Sequence, residues 1–413
     1  MTSIVPAPRH LTLDALRGVA VMGILAMNII AFAMPQQAYL NPLAWGGTGA
    51  ADLAIWAFNM VLVDGKMRGL FSLLFGASLM LVAEGAEAKG ESAARVHVRR
   101  MAWLALFGLA HLYLIWFGDI LLLYAAVGSI AFLFRHRAPE ALIRAGIMFV
   151  CANVVIAALS AGLFLFLQHA AAAPDALPRV IADYRAMTAS IGAPGSDAIA
   201  AELRAYRGGY GEILAYRLAG GSSPISLLIF SGLETLGFML IGMALLRNGF
   251  LTGGWAPARY RRVAIRAYLA GIPPMIALCA WCFASGFDPV TTFNAVQAWA
   301  MPFRLVLVIG HAALVLWLLA THGQSALVRR IAAAGRAAFT NYLGTSLVMT
   351  TLFYGYGLGL FGEVSRAGVY GFVLGGWALM LLWSKPWLER FAYGPLEWLW
   401  RSLARGAVQQ MRR

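Results

Sequence analysis

Charge is what this chain has least of. Only 12% of its 413 residues are Asp, Glu, Lys or Arg, against roughly 25% in soluble domains, and no water-soluble fold covers itself with so little. Acidic residues are the scarcer sign, 18 against 32 Lys and Arg. With 3 cysteines there is no disulfide framework. Cys279-Ala-Trp-Cys282 has the CxxC form but lacks the loop and the second pair of a zinc site, so all three cysteines read as buried structural residues. There is no P-loop, GxGxxG turn, HExxH or haem-ligand pair, and the Gly-Gly pairs at 46, 208, 220, 253 and 375 fit no cofactor fingerprint, which argues against ATP hydrolysis and redox work. The N-terminus has no small-residue cleavage site, and Asp14 and Arg17 open its apolar run; it reads as an uncleaved first span and not as a signal peptide.

What is present is apolar length. Hydrophobic residues make up 61% of the chain and mean hydropathy is +0.73, arranged in runs of about twenty residues, the number a 30 Å hydrocarbon core demands of a helix. The expected fold class is therefore all-α: one polytopic transmembrane domain over 1–413. Ten spans are expected, at 14–34, 67–84, 101–117, 119–134, 141–168, 222–246, 266–286, 303–320, 337–360 and 368–384. With both termini cytoplasmic, the inside loops collect Arg9, Lys89, Arg95, Arg99, Arg100, Arg135, Arg137, Arg247, Arg259, Arg261, Arg262, Arg329, Arg330, Arg336 and the basic C-terminus through Arg413, while the short outside loops are nearly free of Lys and Arg. The net charge of +14 is then topology and lipid contact, not nucleic-acid binding. Residues 51–63 are apolar but short; a full span there would invert every later loop, so they are expected to form an interfacial or re-entrant helix. Residues 169–221 form the one long extramembrane segment, expected as two amphipathic helices over the outer face, as a lid or a passive cap.

Ionisable groups at membrane depth cost about 2.5–3.5 kcal/mol each even on lenient insertion scales, which makes them functional candidates. Here they gather towards the outer side: Asn28 on the first span, Asp64, Lys66 and Arg68 at the start of the second, His111 on the third, Gly118-Asp119 as the outer turn, and Tyr124 on the fourth. A polar cavity between helices accounts for that clustering; interfacial salt bridges and a structural histidine are the alternatives. Glu234 and His311 are expected as helix-to-helix hydrogen-bonding residues. Arg17, Arg336, Asn341 and Tyr342 lie towards the inner ends, where they suit an anionic ligand or lipid phosphate. No similarity between residues 1–220 and 221–413 is visible, which weighs against a transporter built from repeats.

The run Leu13-Asp14-Ala-Leu-Arg17-Gly18 through Asn28, the segment Asp64-Gly65-Lys66-Met-Arg68 through Gly76, Gly108-Leu-Ala-His111, Gly118-Asp119 through Tyr124, Arg336-Ala-Ala-Phe-Thr340-Asn341-Tyr342 and Gly394-Pro395-Leu-Glu397-Trp398 resemble the YeiB family of bacterial membrane proteins from end to end. That family is distantly similar to the transmembrane acyltransferases, heparan-α-glucosaminide N-acetyltransferase among them, which share the Asp-x-x-Arg-Gly opening and the Asn at the far end of that helix. The heparan enzyme also has an essential histidine in the following outer loop, and residues 35–63 here contain none.

The resemblance implies transfer of an acyl group, acetyl or another short chain, from cytoplasmic acyl-CoA to an extracytoplasmic hydroxyl or amine of a sugar or envelope component. A small-molecule transporter or flippase with a polar outward cavity is the competing reading. In the transfer scheme His111 takes the acceptor proton, Asp119 or Asp64 orients it, and Asn28 with Lys66 or Arg68 donates to the oxyanion. Tyr124, Asn341 and Tyr342 contact substrate, and Arg17 and Arg336 hold the CoA phosphates. The expected location is the bacterial cytoplasmic (inner) membrane. Expected partners are the bilayer, acyl-CoA, the acceptor and, as a homodimer, a second copy; no metal and no nucleic acid is expected.

Overall fold

The computed structural model describes residues 11–221, 224–323 and 325–412, so Arg9 and Arg413 lie outside the described residues. Eighteen α-helices follow one another: α1 (Leu11–Ala33), α2 (Gln37–Leu40), α3 (Ala50–Phe58), α4 (Lys66–Glu87), α5 (Ala93–Ala110), α6 (Leu121–Ala131), α7 (Pro139–Ala171), α8 (Pro178–Ile191) and α9 (Asp197–Arg207). The second half holds α10 (Tyr210–Tyr216), α11 (Pro224–Arg247), α12 (Pro257–Ala284), α13 (Pro289–Phe293), α14 (Met301–His322), α15 (Ala326–Arg336), α16 (Ala338–Phe353), α17 (Val369–Arg390) and α18 (Pro395–Arg405). Many of them begin on proline, which cannot donate to a preceding turn and suits the first helical position. Among the described residues the one β contact is an isolated bridge between Phe391 and Arg412. The chain is an all-α membrane protein.

Among the described residues seven stretches are long and apolar enough to cross a bilayer: Leu11–Ala33, Ala50–Glu87, Ala93–Ile115, Pro139–Ala171, Leu227–Arg247, Pro257–Ala284 and Met301–His322. The remaining expected spans are shorter or less apolar. Leu121–Phe134 is a short apolar helix, because the non-helical chain before it, Trp116 to Ile120, takes up length inside the bundle. Asp119 is buried there, and its Oδ1 lies where a side chain on Gly108 would stand. Gly118-Asp119 thus lies in the connection between α5 and α6, with Gly118 half-buried and Asp119 buried; non-helical backbone at this depth survives where protein surrounds it. Likewise the expected span 337–360 divides into α16 and a loop over 354–368.

Residues 51–63 do not stand apart from the next span. They form α3 and a π turn over Asn59–Val63 that ends at Asp64 and Gly65, immediately before α4. Asp52, Trp56, Met60 and Val63 are buried, so this is the first half of a broken helix inside the bundle. A matching π turn at His111–Ile115 ends α5. Cys279 and Cys282 are buried, but Cys151 is exposed on α7 and all three are free, which corrects the expectation of three buried cysteines: α7 turns much of its surface outward, as a lipid-facing helix does.

Two ends of the bundle can be told apart. At the end where α1 starts, α15 lies directly on it; a Cβ on Gly335 would come within 1.8 Å of the Asp14 carbonyl oxygen, so only glycine admits that contact. At the opposite, far end the segment 169–221 forms three helices, α8 to α10, one more than expected. Its Arg217 donates to the carbonyls of Tyr113 (3.2 Å) and Ile115 (2.9 Å), and Tyr210 to that of Leu114 (2.8 Å). These are the carbonyls that the π turn leaves without intrahelical donors.

Candidate functional site

His111 is the residue around which the far-end site is built. The π turn that it opens widens the helix, and the chain folding back from Trp116 delivers Asp119 to it. Its Nδ1 is 2.8 Å from Asp119 Oδ2, while Asp119 Oδ1 accepts from the Leu122 amide at 2.8 Å. Both side chains are essentially inaccessible. The carboxylate therefore fixes the ring and leaves the other nitrogen, Nε2, buried without a hydrogen-bond partner. A buried polar atom left open in this way costs about 1–3 kcal/mol, so it calls for an explanation. Trp116 and Tyr342 pack on the ring, with centroids 6.1 and 5.2 Å away.

Tyr342 connects the histidine to a cavity. Its hydroxyl donates to the Gly118 carbonyl at 3.3 Å, and with Asn28, Val21, Leu25, Phe32, Thr345 and Ser346 it lines a small cavity between α1 and α16. Phe32 in turn stacks on Trp116 at 4.0 Å. Tyr342, expected from its sequence position at the inner side, thus links the His111–Asp119 pair to the cavity that Asn28 lines. The reason is that α16 packs against the π turn that ends α5.

Asp64, Lys66 and Arg68 belong to a second cluster. Lys66 Nζ donates to the Met60 carbonyl at 2.5 Å, Tyr39 donates its hydroxyl proton to Asp64, and Arg68 Nη2 is 2.5 Å from Glu234 Oε2. Tyr124 bonds the Ser72 hydroxyl (2.8 Å) and the Arg68 carbonyl (3.2 Å), which places it between the clusters. His311 bridges helices, through Nδ1 to the Tyr268 hydroxyl at 2.9 Å and through Nε2 to the Leu62 carbonyl at 2.8 Å.

The remaining candidates stay at the near end or are fully engaged. Arg17 donates to Asp14 (3.0 Å) and Ser78 (2.7 Å), and Arg336 donates to the Ala392 carbonyl (3.4 Å). Asn341 donates to the Ala334 carbonyl and Ser384 and accepts from Trp383 Nε1, so its amide is spent on joining α15, α16 and α17. Sequence reasoning missed Arg304, Arg366, Asn59 and Tyr39. Arg304 had a visible signal, a charge four residues into an apolar run; Arg366 sits in a loop and Tyr39 in the short helix α2 between spans, where polar residues attract no notice.

These features define an α-helical membrane protein with two buried polar centres at one end. Residues 245–407 match the family described as "Protein of unknown function (DUF418)". Over 409 residues the chain is 35% identical to "Uncharacterized protein YeiB" of Escherichia coli (strain K12), covering 96% of each. It is 30% identical over 401 residues to "Uncharacterized protein YxaH" of Bacillus subtilis (strain 168), covering 94% of this chain and 92% of that one. The chain belongs to the YeiB family.

Proposed function

We propose that this protein is a transmembrane acyltransferase of the bacterial inner membrane, with both termini cytoplasmic. It would take an acyl group from cytoplasmic acyl-CoA and deliver it to a hydroxyl or amine on the far side, for example on a sugar or envelope component. The observation that supports this reading best is the buried His111–Asp119 pair, whose Nε2 has no hydrogen-bond partner and whose ring packs on Tyr342, part of the wall of the Asn28 cavity. A thioester is already activated, so transfer needs the two reactants held together and one proton removed. Nε2 of His111 takes the acceptor proton as the acceptor oxygen or nitrogen attacks the acyl carbon. Asn28 donates to the resulting oxyanion, the tetrahedral intermediate collapses, and CoA leaves as the thiol once its sulfur is protonated by the imidazolium. Asp119 holds the tautomer and steadies the imidazolium.

Mass spectrometry of the detergent-purified protein should find bound acyl-CoA. With acetyl-CoA and an envelope extract as acceptor source, release of the CoA thiol should fall about 10²–10⁴-fold in His111→Ala, the usual contribution of a positioned base, while bound acyl-CoA persists. Turnover at the wild-type rate in that variant removes His111 from the reaction. Transport by the same protein is the second reading, supported by the broken helix at Asp64-Gly65, since transporters bind solutes at discontinuous helices.

A further inference from the structure

Two distant stretches of the chain fold alike. Phe58-Asn59-Met60-Val61 leads into one π turn and Phe293-Asn294-Ala295-Val296 into another. Each turn follows a short helix, α3 or α13, and each is followed across a break by a long one, α4 or α14. In each, a cation at the start of the long helix donates to a carbonyl of its own π turn: Lys66 Nζ to Met60 and Arg304 Nη2 to Val296, both at 2.5 Å. The two long helices run side by side in one direction, Gly65 against Arg304 and Gly69 against Val308. Gly65 has φ +70°, and a side chain there would meet Arg304 Cδ and Nε at 2.8 Å. The likeness is too short to show in a comparison of the two halves of the sequence, but it is clear in the backbone.

The two units converge on one carboxylate. Glu234 on α11, 1% exposed, is 2.5 Å from Arg68 through Oε2 and 3.6 Å from Arg304 through Oε1. Arg68 Nη1 and Arg304 Nε remain buried without hydrogen-bond partners, and so does Arg366 Nε across the cavity. Beside this cluster a small cavity is lined by Asn59 and Met60 from the first π turn, Val296 from the second, and Tyr39, Trp56, Asp64 and Arg366, of which Arg366 is the cation on its wall. Four cations, Lys66, Arg68, Arg304 and Arg366, face three carboxylates, Glu234, Asp64 and Asp52. Of these Asp64 accepts from Tyr39 and Asp52 from the Ala367 amide at 2.8 Å. Tyr39, Tyr124, Tyr370 and His311 are the other titratable neighbours. Three open guanidinium donors in a low-dielectric site, with the positive ends of two helix dipoles beside them, suit an anion.

We propose that the cavity between the two π turns binds a small solute carrying one carboxylate or phosphate group, and that Glu234 is the resident anion with which that group competes for Arg68 and Arg304. The site is separate from the His111 cavity and stands whether or not acyl transfer occurs.

The test melts the full-length protein in neutral-lipid nanodiscs against sodium acetate and sodium phosphate, with sodium chloride and acetamide at matched concentration and ionic strength as controls. Acetate or phosphate should raise the melting midpoint in a saturable way, and which of them acts tells carboxylate from phosphate. Glu234→Gln, which keeps an acceptor for Arg68 but removes the competing charge, should lower the half-saturating concentration at least tenfold. Arg304→Gln and Arg366→Gln should each raise it at least tenfold. If neither anion moves the midpoint beyond the chloride control in the wild type and in Glu234→Gln, the proposal is overturned. An undiminished shift in Arg366→Gln overturns it too, since the anion would then sit on the basic loops. Should Arg304→Gln fail to insert, Glu234→Gln and Arg366→Gln still decide the matter.

Discussion

Glu202 on α9 should make the far-end cap sensitive to pH. Its carboxyl is 3% exposed and accepts one hydrogen bond, from the Gln36 amide at 3.1 Å, with no cation paired to it. Burial raises its pKa from the ordinary 4.5 to about 7, with the Gln36 hydrogen bond only partly opposing the rise. Below about pH 4.5 the residue is protonated whether the cap is docked or open, and its full contribution is present. Between 4.5 and 7 the docked form keeps the proton and the open form loses it, so docking weakens as pH rises through that window. At about 1.36 kcal/mol per pKa unit the loss approaches 3 kcal/mol by pH 8. Glu202→Gln keeps an acceptor for Gln36 and cannot ionise, so the variant should match the wild type near pH 4.5 and exceed it by up to about 3 kcal/mol at pH 8. Hydrogen exchange of residues 197–207, corrected for the intrinsic pH dependence of exchange, reads cap opening directly. Superimposable profiles for the two proteins from pH 4.5 to 8 would refute the reasoning.

Three further outcomes are expected. Cysteines introduced at 92 and 136 should resist an impermeant label in intact cells while one at 195 reacts, because that orientation alone keeps the basic loops inside; labelling at 92 would invert the topology. Gly335→Ala places a Cβ 1.8 Å from the Asp14 carbonyl and should lower the thermal midpoint by an amount equivalent to about 1–3 kcal/mol, whereas Gly375→Ala, with nothing within 4 Å, should leave it within error. Arg17→Ala and Arg336→Ala should weaken acyl-CoA binding measured by calorimetry if CoA phosphates rest at the near end, and unchanged affinity in the double variant would move the donor site elsewhere.

Much of the molecule was legible in the residues alone, because in lipid the backbone must satisfy itself and a helix is the economical way to do so. Apolar run length therefore determined the all-α class, the membrane setting and most span positions, and scarce charge within those runs marked Asn28, Asp64, Arg68, His111 and Asp119. What sequence distance could not convey was depth and partnership. Whether Asp119 lies apart in an outer turn or folds back to His111 depends on a π turn and five non-helical residues, whose energies are decided by what packs around them. Tyr342 reaches His111 only because α16 packs on that π turn, and Arg304 joins Arg68 on Glu234 only because α11 and α14 both pack on α4. Those contacts join residues far apart in the chain, and only the tertiary structure, in which buried charges must find one another, brings them into register.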